Sequence, residues 1–231
     1  MGGDHGPQTT IQGVVLAAKK HPNVNFVLFG NKYKSSEELK KNPDLTNYEF
    51  IHTPESISST DEPVNALRKL KKSSMRLGIN SVQLAKANGF VSAGNTGALM
   101  AISKFVLKTI KGIDRPAIAA LLPTMKGQAV VLDLGANVEC SNENLVQFAL
   151  MGDLFSKSVL GIQNPRLGLL NVGSEQIKGH TTVKKAFDDL QKMNSKINFY
   201  GYVEGNDINK GIVDVVVTDG FSGNIALKTA E

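Results

Sequence analysis

The chain has 231 residues, a formal net charge of +5 and 41% apolar residues, which suffices for a sizeable core in one or two domains. No apolar run approaches the roughly 20 residues that a membrane-spanning helix needs, and the start does not resemble a signal peptide. The positive charge favours acidic partners, but arginine and aromatic residues are too few to favour nucleic acid. We therefore expect a cytoplasmic protein that binds no nucleic acid.

The predicted chain alternates strands and helices, after a glycine-rich loop at 1–7 that leads into the first helix. Such a loop normally follows a strand, so we expect the sequence to begin one element late. The predicted strands lie at 24–29, 48–52, 89–91, 117–122, 129–134, 167–173 (a strand with the loop that follows it), 197–202 and 213–218. The predicted helices lie at 7–20, 35–41, 98–108, 144–159 and 181–193, with a long stretch from 61 that breaks near 72–74 and a last helix from 225.

This order of elements predicts an α/β fold with a mainly parallel sheet covered by helices on both faces. The strands at 117–122 and 129–134 form a hairpin in this prediction, because their connection is short. In parallel sheets ligands bind at the carboxyl ends of the strands. The carboxylates expected there are Asp133, Glu204, Asp207 and Asp219, although each taken singly is more often a helix cap or turn former.

The stretch 91–100 has the clearest pattern for a ligand. It places two glycines, Ser92, Asn95 and Thr96 between the predicted buried strand at 89–91 and the predicted helix at 98–108. Small residues let a ligand approach the backbone, and free N–H groups at a helix N-terminus attract anions. The pattern therefore indicates an anion site, with a tight turn capped by Asn95 or Thr96 as the alternative.

The absence of several motifs narrows the chemistry. No Gly-Lys dipeptide occurs, which excludes a P-loop, and neither a strict G-x-G-x-x-G nor a G-x-S-x-G is present. The four histidines have no metal-ligand spacing, so we predict no metal and no cofactor. Cys140, the single cysteine, excludes an intrachain disulfide and fits a reducing compartment. A small buried thiol is the commoner role for a lone cysteine, and a nucleophile is the alternative.

The cations at 68–76 form a strongly basic run. They are Arg68, Lys69, Lys71, Lys72 and Arg76. A solvated helix face is the commoner explanation of such a run, and a docking face for an acidic partner is the more specific one.

Eight motifs run the whole length of the chain. They are MGGDHGP at 1–7, DEPVNALRKLKKSSM at 61–75, VSAGNTGALMA at 91–101, GIDRPAIAALLPT at 112–124, LDLGANVECSNENLVQFALMG at 132–152, GLLNVGSEQIKG at 168–179, VEGNDI at 203–208 and DVVVTDGFSGNIALKTAE at 214–231. Together and in this order they resemble the bacterial phosphate acyltransferase family of phospholipid synthesis, the PlsX family. The resemblance implies a fold similar to that of phosphotransacetylases and isopropylmalate dehydrogenases. It also implies one catalytic domain over 1–231, without the family's first strand and C-terminal segment.

The resemblance implies transfer of a fatty acyl group from acyl carrier protein to inorganic phosphate, which gives an acyl phosphate for phosphatidic acid synthesis. It also implies a homodimer, peripheral association with the inner face of the membrane, and a membrane glycerol-3-phosphate acyltransferase as the next enzyme. Two alternatives stand beside it. One is transfer from acyl-CoA, as in phosphotransacetylase, and the other is a non-catalytic scaffold for acyl carrier protein and membrane.

The resemblance and the loops together give a set of candidate site residues. We expect the catalytic residues to be Asp4, Asp219 and Asn224, with Asp4 or Asp219 holding or accepting a proton. The residues expected to bind the phosphate substrate are Gly2, Gly3, Ser92, Gly94, Asn95, Thr96, Gly97, Asn137 and Gly223. The residues expected to dock the acidic carrier protein are Arg68, Lys71, Lys72 and Arg76.

Overall fold

The computed structural model describes residues 1–3 and 5–231. The chain divides into two compact units, Met1–Lys108 and Thr109–Glu231. This division concerns the packing of the backbone, and the single catalytic domain expected from the sequence stays a prediction. Among the described residues, no helix has both the length and the apolar character needed to cross a bilayer.

The described part of the first unit contains a small parallel sheet and five helices. Its strands are β1 (Phe26–Gly30) and β2 (Tyr48–His52), paired in parallel. Its helices are α1 (Gly6–Lys20), α2 (Lys32–Lys40), α3 (Pro63–Lys69), α4 (Ser74–Gln83) and α5 (Thr96–Leu107). Apolar residues of α3, α4 and α5, among them Ala66, Ile79 and Ile102, form a buried cluster with Ile57.

The second unit is built on a five-stranded sheet. Its strands are β3 (Ala119–Thr124), β4 (Gly127–Leu132), β5 (Arg166–Leu170), β6 (Asn198–Val203) and β7 (Val215–Val217). The strand order is β3-β4-β7-β5-β6, in which β3 is antiparallel to β4 and every other pair is parallel. Its helices are α6 (Asn142–Phe155), α7 (Thr181–Lys192), α8 (Gly205–Lys210) and α9 (Gly220–Ala230), and one π-helical turn, Ser156–Leu160, continues α6.

Alternate residues of the central strands enter different cores. Val130 of β4 and Val215 of β7 pack with Phe148 of α6 in one cluster, whereas Val131 and Val216 belong to another cluster. Because successive side chains of a strand point to opposite faces, both faces of this sheet are covered. The predicted α/β class with a mainly parallel, two-sided sheet is therefore confirmed.

Polar residues define the start of several helices. Asn31, Ser73, Asn95, Ser141 and Asp219 each occupy an N-cap and accept a hydrogen bond from a backbone N–H of the following turn. Such caps satisfy donors that have no partner inside the helix. The break predicted near 72–74 is confirmed, since Ser73 starts α4 after α3 has ended at Lys69.

Most predicted elements are confirmed within a few residues, but the strand at 89–91 is wrong. Val91 is 94% exposed rather than buried, and none of the described strands pairs with this segment. Phe90 alone enters the core, against Gly78 of α4. The loop at 92–97 therefore does not follow a strand. The predicted hairpin is confirmed, with strands that extend to the turn at Met125 and Lys126, while α8 was not predicted.

An ion pair ties the amino ends of β5 and β7 together. Nε and Nη2 of Arg166 donate to the two carboxylate oxygens of Asp214, each at 3.1 Å, and the Arg166 backbone N–H donates to Asp214 Oδ2 at 2.8 Å. Burial opposes ionisation of Asp214, but these hydrogen bonds outweigh it and lower its pKa. The pair thus favours the folded state while Asp214 is charged.

We expect Arg166→Ala to lower the free energy of unfolding at pH 7 by about 1–2 kcal/mol, the range for charged hydrogen bonds reduced for partial exposure. Because the folded-state pKa of Asp214 lies below its unfolded value, its contribution is complete above about pH 4. It is lost as the pH falls through the folded-state pKa. Urea unfolding at pH 7 and pH 3 should therefore show a difference between variant and wild type that shrinks at pH 3.

The matched control is Arg115→Ala, because Arg115 forms a longer and more exposed pair with Asp114, at 3.5 Å. This variant should change the stability by less than about 0.5 kcal/mol. Equal losses in the two variants would contradict the assignment.

Candidate functional site

The glycine-rich start of the first unit lies against the loop at 92–97. A Cβ atom at Gly3 would lie 2.8 Å from the carbonyl oxygen of Ala93, and Gly2 has a positive φ of +97° with the Ile57 carbonyl where its Cβ would be. Larger residues would clash at both positions. The structure therefore brings together Gly2, Gly3 and the segment that contains Ser92 and Gly94, whereas their role in binding phosphate stays a prediction. Asp4, expected to be catalytic, lies outside the described residues.

Both polar atoms of the Asn95 side chain form hydrogen bonds within the first unit. Its Oδ1 accepts the backbone N–H of Ala98 at 2.9 Å and so caps α5. Its Nδ2 donates to the carbonyl oxygens of Ser58 at 3.0 Å and Asp61 at 2.9 Å. The side chain thus fixes the start of α5 to the loop at 58–61, a contact that no local sequence pattern indicates.

The first turn of α5 keeps open donors. Thr96 and Gly97 are the first residues of the helix, so their N–H groups have no partner inside it, and among the described residues neither has an acceptor outside it. Both residues are exposed. Ser92 Oγ accepts from the Gly94 N–H at 3.1 Å and keeps its own proton for another partner. This end of α5 has the geometry of an anion site.

In the second unit, the buried carboxylate of Asp133 organises the loop after β4. Its Oδ1 accepts the N–H groups of Ile118 (2.9 Å) and Ala136 (3.1 Å). Its Oδ2 accepts from both the backbone N–H (2.7 Å) and Nδ2 (2.9 Å) of Asn137. Four hydrogen bonds within the chain occupy this carboxylate, so we assign it to holding the loop.

Asn137 connects the loop after β4 to the start of α9. Its Nδ2 also donates to the carbonyl of Pro116 at 2.8 Å, and its own carbonyl accepts the N–H of Gly220 at 2.8 Å. A Cβ at Gly220 would lie 2.7 Å from that carbonyl oxygen, and a Cβ at Gly223 would clash with the carbonyl oxygen of Asp133. The start of α9 is therefore seated directly on the loop after β4.

Most of the N–H groups at the start of α9 have acceptors. Asp219 Oδ1 accepts from the Ser222 N–H at 2.8 Å, its Oδ2 accepts from Ser222 Oγ at 3.1 Å, and its carbonyl accepts from the Gly223 N–H at 3.0 Å. Asp219 thus acts as the N-cap, the alternative considered for it from the sequence. Asn224 is exposed beside Gly135. The catalytic roles of Asp219 and Asn224 stay predictions.

Glu204 and Asp207 form a capping box at α8. Asp207 Oδ2 accepts the N–H of Glu204 at 3.0 Å, and its Oδ1 pairs with Lys210 at 3.0 Å. The bond from the Glu204 backbone, followed by that from Lys210, lowers the pKa of Asp207. Among residues 1–3 and 5–231, no three His, Cys, Asp or Glu side chains gather as metal ligands would.

The basic run divides into free and engaged cations. Arg68, Lys71 and Lys72 are exposed, and none of them forms an ion pair in the part of the chain that the structure describes. Arg76 is half-buried, donates to Asn80 at 3.2 Å and lies over the ring of Phe105 at 5.5 Å. Of the four expected docking residues, three are therefore available to a partner.

Comparison with known proteins adds family relationships to this geometry. The sequence model of a family described as "Fatty acid synthesis protein" matches residues 1–231. The chain is 53% identical to phosphate acyltransferases of Paramagnetospirillum magneticum and Rhodospirillum centenum over its whole length, and it spans 66% and 65% of those relatives. The predicted resemblance to phosphate acyltransferases is confirmed.

Two solved structures share the fold. EutD phosphotransacetylase from Staphylococcus aureus superposes with a TM-score of 0.63 at 17% identity, covering 96% of this chain and 86% of that chain. A branched-chain phosphotransacylase from Enterococcus faecalis gives 0.54 at 13% identity, covering 89% and 84%. At this level of identity the similarity concerns the fold alone, which agrees with the fold implied by the motifs.

Cys140 is expected to react slowly with alkylating reagents. Burial raises the pKa of its thiol to about 11, and the thiol donates to the Asn137 carbonyl at 3.4 Å. Because only the thiolate reacts, iodoacetamide should label the native protein at pH 8 roughly 100-fold more slowly than the urea-unfolded chain. Mass spectrometry of both samples measures this, and equal rates would contradict it.

Proposed function

Since the chain belongs to the family of fatty acid synthesis proteins, we propose that it transfers a fatty acyl group to inorganic phosphate. The observation that carries this proposal is the match to curated phosphate acyltransferases at about 50% identity along all of the chain. In the proposed reaction a phosphate oxygen attacks the carbonyl carbon of a thioester. The carbon–sulfur bond breaks, the sulfur leaves as a thiol after taking up a proton, and an acyl phosphate remains.

We place the phosphate at the start of α5, with Gly2, Gly3, Ser92 and the open N–H groups of Thr96 and Gly97. The α5 terminus supports this placement better than the α9 terminus, because the latter's N–H groups are largely occupied by Asn137 and Asp219. Fixed backbone donors stabilise an anion without reorganisation. Asp4, Asp219 and Asn224 remain our proposed catalytic residues, and Asn137 and Gly223 remain proposed binding residues.

The proposed acyl donor is acyl carrier protein, with the free thiol carrier as the second product. Support comes from the basic surface formed by Arg68, Lys71 and Lys72, since acyl carrier proteins are acidic and opposite charges speed encounter. We also propose a homodimer in the cytoplasm, peripheral association with the membrane, and delivery of the acyl phosphate to a membrane glycerol-3-phosphate acyltransferase for phosphatidic acid synthesis.

Transfer from acyl-CoA is the second candidate, favoured by the fold shared with the two phosphotransacylases. A scaffold without activity is the third. One assay separates them: the full-length protein is incubated with phosphate and either palmitoyl carrier protein or palmitoyl-CoA, and acyl phosphate is trapped as hydroxamate. We expect product from the carrier protein. Product only from CoA would support the second candidate, and no product from either would support the scaffold.

Thr96→Pro tests the phosphate site. Proline is accepted at the first position of a helix, so the variant removes one backbone donor and the hydroxyl while α5 is retained. Losing a hydrogen bond to a charged group costs about 1.5–3 kcal/mol, which corresponds to a roughly 10- to 150-fold lower kcat/KM for phosphate. The measurement is initial rate against phosphate concentration.

Thr96→Ala is the matched control, because it removes the hydroxyl and keeps the N–H group. The difference between the two variants measures the contribution of the backbone donor. If Thr96→Pro is folded and differs from Thr96→Ala by less than twofold, this N–H group does not bind phosphate.

Charge reversal tests the docking surface. In the variant with Arg68, Lys71 and Lys72 all changed to glutamate, attraction for an acidic carrier becomes repulsion. Surface charges act mainly on encounter, so the KM for acyl carrier protein should rise at least tenfold while kcat changes less than twofold. Added salt should reduce the difference, since charges are screened over about 8–10 Å at physiological ionic strength.

A second triple reversal at Lys34, Lys86 and Lys111 changes the net charge equally. These lysines are also exposed, and their reversal should leave the KM within about twofold of wild type. Equal effects of the two triple variants would mean that net charge, and not a docking surface at 68–72, governs encounter.

A further inference from the structure

Five large apolar side chains are exposed on the carboxyl edge of the five-stranded sheet. They belong to the segments that directly follow three strands. These residues, which we call the apolar row, are Val138 after β4, Phe221 and Ile225 in α9 after β7, and Val172 and Ile177 after β5. Their exposed fractions range from 52% to 83%. Single exposed apolar side chains are common, but a group of them on one edge of a sheet indicates a ligand or partner site.

The sheet brings these segments next to one another. β7 lies between β4 and β5, and Val217 pairs with Leu132 on one side and with Leu169 on the other. The three strands therefore end at nearly the same level. The segments that follow them emerge side by side along one edge.

A backbone hydrogen bond joins two members of the row. The N–H of Gly220 donates to the carbonyl of Asn137 at 2.8 Å. Val138 and Phe221 are the next residues in their respective segments, so this bond holds their backbones close together.

The loop after β5 is closed by a side chain. Nδ2 of Asn171 donates to the carbonyl of Gly173 at 3.0 Å and to that of Lys178 at 3.2 Å. Val172 lies next to Asn171 and Ile177 lies next to Lys178, so both are held where these hydrogen bonds close the loop. Their exposure is thus a property of a loop with its own internal bonds.

The other side of α9 is already used. Gly220 and Gly223 are buried, and Leu227 packs against the core. Phe221 and Ile225, four residues apart and therefore neighbours along the helix surface, stay exposed. α9 thus leaves two apolar side chains exposed on the side away from the core.

We infer that the apolar row binds the fatty acyl chain of the donor, an inference that rests on the proposed function. A linear alkyl chain fits a row without charged members. Two polar residues of this edge stand just before members of the row: Asn137 before Val138, and Asn171 before Val172. A thioester at the polar end of such a ligand would lie with the polar residues, and its methylene groups would lie along the row.

Direct binding tests this inference without requiring turnover. The full-length protein is titrated calorimetrically with the dodecyl and the butyl thioether of pantetheine, which have no carbonyl to transfer. The test variants are Phe221→Ser and Ile177→Ser. The control is Met125→Ser, since Met125 is 85% exposed in the turn between β3 and β4, at the opposite edge of the sheet.

A methylene group removed from water contributes a factor of about four to binding. Each test variant should therefore raise the Kd of the dodecyl ligand about tenfold, and that of the butyl ligand less than twofold. Met125→Ser should change neither. Thermal melts of all variants should lie close to wild type, because the substituted side chains are exposed.

Three results would overturn the inference: a wild type that binds both ligands equally, test variants with unchanged dodecyl affinity, or loss of dodecyl binding only together with a change of oligomeric state by light scattering. The last would identify the row as a contact between copies of the protein. If the ligands bind as expected but the protein forms no acyl phosphate, the apolar row is retained as a binding site and the proposed function is rejected. If acyl phosphate forms but the test variants bind the dodecyl ligand as tightly as wild type, the proposed function is retained and the apolar row is rejected as the acyl-binding site.

Discussion

The carboxylate of Asp133 is the constraint on which the carboxyl edge of the second unit's sheet depends. It is buried, and the loop after β4 folds around it with three backbone N–H groups and one side-chain amide. Asn137, held in this way, offers its carbonyl to Gly220 and so fixes where α9 begins. A buried carboxylate without partners would be very unfavourable, so the loop, the carboxylate and the helix start form one arrangement.

The starts of α5 and α9 have similar sequences, but their N–H groups differ in how many acceptors the surrounding residues provide. At α9 most of the N–H donors have acceptors, which Asn137 and the cap Asp219 provide. At α5 the cap Asn95 satisfies Ala98, and its amide turns to the loop at 58–61 rather than to the open donors. The α5 terminus therefore keeps the capacity for an anion, although both stretches contain glycines with Asn, Ser or Thr.

The amino and carboxyl edges of the five-stranded sheet carry different kinds of contact. At the amino ends of β5 and β7, Arg166 and Asp214 form a bidentate pair that contributes stability. At the carboxyl ends the strands are followed by closed loops and capped helices that expose polar and apolar groups. The stabilising ion pair and the groups that we propose to bind ligands are thus separated by the length of a strand.

The sequence by itself determined the α/β class, because alternating strand and helix patterns with strands apolar on both faces permit few other arrangements. It also identified the glycine-rich loops and their candidate residues, and its motifs identified the family. It failed at 89–91, where a glycine and two apolar residues suggested a strand. Whether a short apolar segment joins a sheet depends on an available neighbouring strand, which local pattern does not record.

Only the tertiary structure decided which candidate groups are free. Asn95 donates to the carbonyls of Ser58 and Asp61, Asp133 accepts from Ile118, and Arg76 lies over the ring of Phe105. These partners are many positions apart in the chain, so spacing does not reveal the contacts. The alignment of the ends of β4, β7 and β5, which assembles the apolar row, likewise follows from strand order. Hydrogen-bond partners and strand neighbours are set by long-range contacts, and those exist only once the chain has folded.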